Sequence, residues 1–162
     1  MRKTAKPAAS APPAKQLAGF IAKFDPRIAR VIRSARQVLR KQHPTANELV
    51  YDNYNFFVIG FSTTERPSDC MFSLAANAKG VGLSFYYGST LPDPHKILLG
   101  SGTQNRFLRL ESAATLGKPD VRELLLAAVA QADPPLPSSG RSRLIIRSVA
   151  VNQRPRRIAT KR

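Results

Sequence analysis

The chain has 162 residues, with 26 Lys and Arg against 10 Asp and Glu, a formal charge of +16 and one cysteine. One domain is expected at this length, and a lone Cys70 excludes an intramolecular disulfide and points to a reducing, cytoplasmic setting. No apolar run reaches the roughly 18 residues of a membrane span, and the basic start lacks the apolar core of a secretory signal.

Residues 1–16 hold Arg2, Lys3, Lys6 and Lys15 among Ala, Pro, Ser, Thr and Gln, with no acid. They read as a disordered basic tail. The expected α+β domain spans 17–132 and opens with a short helix over 17–24. Segment 25–42, DPRIARVIRSARQVLRKQ, is the strongest helix. Asp25 is placed to cap it, and Pro26 sits where a missing N–H costs nothing. At about 100° per residue, Ile28, Val31, Ile32, Ala35, Val38 and Leu39 share one arc, whereas Arg27, Arg30, Arg33, Arg36, Arg40 and Lys41 share the other. Such a face is either solvated or an anion-binding surface.

Strand-like runs follow, beginning near Glu48 and continuing over 56–62, 71–76 and 81–87, separated by a polar loop at 63–69 and a tight one at 77–80. Cys70, beside Met71 and Phe72, is expected to act as a small buried hydrophobe. Residues 91–110, LPDPHKILLGSGTQNRFLRL, combine Pro92, Pro94, Gly100 and Gly102 with Asp93, Gln104, Asn105 and Arg106. Here Asp93 is expected to cap the short 94–99 turn and Arg106 to pair with a carboxylate on entering a strand at 104–110. A second strong helix is expected over 118–132, started by Pro119 and Asp120 and stopped by Asp133-Pro134-Pro135. Residues 133–143 read as a Pro/Ser-rich linker, 144–151 as a late strand and 152–162 as a second basic tail. That tail contributes Arg154, Arg156 and Arg157 to the anion-binding candidates. Sequential strands framed by helices predict an antiparallel sheet of about five or six strands packed with two or three helices.

Catalytic devices are not visible in the pattern. His43 and His95 have no second ligand at metal spacing. Gly100-Ser101-Gly102 lacks the five-residue span of a nucleophile elbow, and GSGTQNR lacks the Gly-Lys-Ser/Thr end of a P-loop. No metal, cofactor or reaction is therefore expected.

Leu91, Asp93, Pro94, Leu99, Gly100, Gly102 and Arg106 form a Leu-x-Asp-Pro, Leu-x-Gly-x-Gly, Arg series. With the FDPRI helix start, this resembles the YdhG-like domain-of-unknown-function family over about residues 17–132. The resemblance implies a compact α+β domain with an antiparallel sheet. It also brings in a frataxin-like iron-chaperone role described for some relatives. Iron binding of that kind uses clustered carboxylates, whereas the long helix here presents arginines.

Three functional expectations result. The first is a non-catalytic module whose basic helix and tails contact nucleic acid or an acidic protein. The second is a small-ligand pocket at Asp93 and Arg106, and the third is the iron-chaperone role.

Overall fold

The computed structural model describes residues 11–159. Three α-helices, α1 (Pro13–Ala22), α2 (Pro26–Gln42) and α3 (Pro119–Ala130), accompany six strands. The strands are β1 (Asn47–Asp52), β2 (Phe57–Ser62), β3 (Cys70–Asn77), β4 (Gly80–Phe85), β5 (Arg106–Leu110) and β6 (Leu144–Val149). They form one sheet in the order β5-β4-β3-β2-β1-β6.

Local chemistry sets the helix starts. Asp25 accepts a hydrogen bond from the Arg27 N–H at 2.9 Å, and Pro26 occupies the first turn. Three helix starts, at Pro13, Pro26 and Pro119, place proline where no N–H is required. Helix α1 begins at Pro13 rather than near 17, so residues 13–16 are helical. The rest of the expected N-terminal tail, 1–10, lies outside the described residues, as do 160–162.

Strand alternation then builds the core. Val50, Phe57, Ile59, Phe61, Phe72, Leu74, Leu83 and Phe85 are buried and belong to the cluster that α1, α2 and α3 cover. Helix α2 contributes Ile28, Ile32, Ala35 and Leu39 to it, and α3 contributes Val121, Leu124, Leu125 and Ala128. Each large side chain buried this way stabilises the fold by about 1.5–3 kcal/mol. Phe72 is edge-on to both Phe85 and the His43 ring.

Strands β1 to β5 form the expected antiparallel meander. The sheet is not wholly antiparallel, however, because β6 pairs with β1 in parallel. The connection explains the direction. A strand, then a helix that returns the chain, then a strand must leave β6 running the same way as β5. In a five-strand meander β5 also runs with β1. Residues 131–143 carry the chain to the far edge, where Leu136 packs on the core and Thr45 donates to the Pro137 carbonyl. The late strand is thus part of the same sheet.

The helices cover one sheet face. The other face presents two cross-strand rows by register. One runs Ile145, Leu49, Gly60, Ser73, Ser84, Phe107; the other runs Ser148, Tyr51, Val58, Ala75, Gly82, Arg109.

Candidate functional site

The 91–110 motif is held together by its own backbone. Asp93 accepts hydrogen bonds from the Ile97 and Leu98 N–H groups, both at 3.0 Å, as a cap should. The 94–99 stretch is a turn, not a helical one. Leu99 pairs with Phe107 through two backbone hydrogen bonds, and Gly100, at φ 113°, turns the chain between them. Among the described residues Arg106 pairs with no carboxylate. Its guanidinium donates instead to the Gly102 and Asn105 carbonyls, and its backbone packs against Gly88. Asp93 and Arg106 are therefore consumed in separate turns, and neither lines the clefts at the β3–β4 turn.

The arginines of α2 divide into two groups. Arg36 grips the buried Glu48 of β1 with both Nε and Nη2, at 2.6 and 3.0 Å, and Arg40 Nε reaches the same carboxylate at 3.2 Å. These two balance an internal charge. Arg27, Arg30, Arg33 and Lys41 are exposed and form no ion pair among the described residues.

The segment after β6 departs furthest from expectation. Residues 150–159 follow the ends of β1 and α1 closely. Ala150 and Arg154 donate backbone hydrogen bonds to the Asp52 and Tyr54 carbonyls. Arg156, expected on a free basic tail, has a side chain only 3% exposed and meets the wholly buried Asp52 at 2.8 Å. It also donates to the Asn53 and Asn55 carbonyls and lies over the Phe24 ring. Its Nε is buried with no partner.

Lys23 binds the second Asp52 oxygen at 2.7 Å, and Gln153 joins both. Burial pushes the Asp52 pKa up, but its donors Lys23, Gln153 and Arg156 outweigh that and hold the carboxyl below the ordinary aspartate value. Arg157 donates to the Lys23 and Ala22 carbonyls while remaining exposed, and Arg154 lies 5.7 Å from the Tyr54 ring centre.

Two clefts meet at the β3–β4 turn. A notch of about 380 Å³ is lined by Asn55, Phe56, Asn77, Lys79, Arg154 and Arg157, among others. A wider cleft of about 960 Å³ shares Phe56, Asn77 and Lys79 and spreads along the uncovered sheet face to Ser84, Phe107 and Arg109, with Arg27 on its margin. Among the described residues Glu111 is the one carboxylate lining either cleft.

The remaining reactive groups are not poised for chemistry there. Cys70 is buried, and burial raises its thiol pKa to about 11. His43 is buried beneath α2, with Nδ1 3.0 Å from the Leu39 carbonyl oxygen. His95 faces Asp120 and Glu123 at 3.5 and 3.7 Å on the exposed side of α3. Among the described residues no group of three or more His, Cys, Asp or Glu side chains is placed to hold a metal ion, and no helix is long and apolar enough to cross a membrane.

Phe56 and Lys79 carry no motif, and Phe107 and Arg109 lie in the 91–110 stretch without being among its motif residues. Strand alternation around Gly82 and Ser84 was the signal that could have placed Phe107 and Arg109 together. No family model, curated protein or solved structure matches this chain.

Proposed function

We propose that the protein is a non-catalytic binding module for polyanions. One observation carries this reading. Arg27 from α2, Lys79 from the β3–β4 turn, and Arg154 and Arg157 from the C-terminal segment come to adjoining clefts that, among the described residues, only Glu111 lines with opposite charge. Arg30, Arg33 and Lys41 extend the same excess along α2. Cations gathered without counter-charges raise the local concentration of anions and release counterions when a polyanion binds. Asp93 and Arg106 serve backbone turns and Cys70 is buried, so the reading assigns them structural work. YdhG-like membership remains a proposal resting on the 91–110 motif.

Binding of the full chain to heparin and to duplex DNA, followed across ionic strength, tests the reading. Affinity should fall steeply with salt, by about 0.9 in the log–log slope for each DNA phosphate contacted. Arg27→Glu with Arg30→Glu and Arg33→Glu should weaken binding to both and flatten the slope. No salt-dependent binding to either polyanion would remove the proposal.

A further inference from the structure

The uncovered sheet face differs from the rest of the basic surface. It joins charge to one exposed ring, Phe56, and one half-buried ring, Phe107, over a shallow floor. Ala75, Gly82, Ser73 and Ser84 occupy the middle of the two cross-strand rows, and Phe107 and Arg109 rise beside them on β5. Phe56, 45% exposed, stands at the β3–β4 turn end with Lys79, Asn77 and the Arg154–Arg157 notch. Arg27, Ile28 and Val31 of α2 share the lining of the 960 Å³ cleft with Phe107 and Phe56.

We infer that this face takes a single strand of nucleic acid. The inference rests on the polyanion reading and names its ligand and place. Unpaired bases present flat faces that stack on Phe56 and Phe107, and the intervening phosphates are met by Arg109, Lys79 and the arginines of the notch. Ser73, Ser84, Asn77 and Asn105 offer hydrogen bonds to base edges from the floor and rim. A duplex keeps its base faces stacked inside, so it can use the cations but not the rings. An acidic peptide would match the charge and leave the rings without a flat partner. By strand geometry Phe56 and Phe107 stand about 19 Å apart, a span suited to a few extended nucleotides.

The test is fluorescence anisotropy of the full chain with a labelled oligothymidylate of about fifteen nucleotides and with a duplex of equal length. The single strand should bind at least about tenfold more tightly. Phe107→Leu, which keeps the bulk but not the ring, should weaken single-strand binding about tenfold and leave duplex binding unchanged, while Phe107→Tyr should preserve both. Arg109→Glu should lower the single-strand affinity and its salt slope, and circular dichroism checks that each variant is folded.

Equal binding of single strand and duplex, indifferent to Phe107→Leu and Arg109→Glu, overturns this inference and leaves the polyanion reading intact. Loss of all salt-dependent binding, to heparin and duplex included, overturns both. A stable dimer in sedimentation that Arg109→Glu dissociates also overturns it, since a second copy would then occupy the face.

Discussion

Asp52 and Arg156 show what one buried charge requires. A carboxylate without contact to water must be matched by donors, and here Lys23, just after α1, and Arg156 of the C-terminal segment donate to it, while Gln153 donates to the Asp52 backbone carbonyl. Arg156→Ala removes the best buried donor and leaves Lys23, whose side chain is 42% exposed. Breaking a buried pair from one side costs about 3–5 kcal/mol, and the surviving Lys23 puts the expected loss near the lower end. Urea denaturation measures it, and a cycle with Asp52→Asn should recover part of the loss. Equal stability of Arg156→Ala and the parent would show that the pair does not form.

His43 and Asp52 also set the response to acid. Burial places the His43 pKa below its ordinary value, with the Leu39 carbonyl opposing. The unfolded chain therefore takes up this proton first. The contribution of His43 is complete above about pH 6.5 and is lost as pH falls towards its folded pKa. The Asp52 pKa is lowered too, so its contribution is present above about pH 4 and is lost below. Denaturation midpoints should decline in two stages on acidification, and His43→Phe should abolish the first. A flat midpoint from about pH 7.5 to 5.5 would contradict the assignment.

At the scale of elements, adjacent residues speak clearly and distant ones do not. The Asp25 cap, the Pro26 start and the apolar arc of α2 lie within a few residues of one another, so they were legible. The glycine motif was legible only in part. Gly100 turns with a positive φ, whereas a methyl at Gly102 would meet nothing within 4 Å. The crowded glycine beside the motif is Gly88, where a Cβ would stand 2.5 Å from the Arg106 Cβ and 2.8 Å from its backbone nitrogen. Gly88→Ala should thus cost about 1–3 kcal/mol by forcing the turn away from β5, and Gly102→Ala should be close to neutral. Paired thermal melts check the contrast, which reverses if the motif glycine rather than its neighbour is the constrained one. Gly88 escaped notice because its neighbour, Arg106, is eighteen positions away and meets it only across the β4–β5 turn.

For the whole molecule, the C-terminal segment is a structural strap as much as a charged tail. Ending the chain after Val149 would strip Asp52 of Arg156 and Gln153, uncover Phe24 and remove Arg154 and Arg157 from the notch. The expected loss is at least that of Arg156→Ala, a drop in Tm of about 6–12 °C or more at this chain length. Differential scanning calorimetry decides it, and an unchanged Tm would mean that the strap is no part of the folded unit.

By itself the sequence determined an α+β chain of two or three helices and about five or six strands, the apolar arc of α2, the excess of positive charge and the lack of an intramolecular disulfide. Those properties follow from neighbours in the chain and from composition. Only the tertiary structure decided that β6 runs parallel beside β1, that Arg36, Arg40 and Arg156 neutralise buried carboxylates, and that Arg27, Lys79, Arg109, Arg154 and Arg157 are left to face the clefts. Which cation meets which carboxylate depends on pairings closed over as many as 104 residues, and no local pattern carries that information.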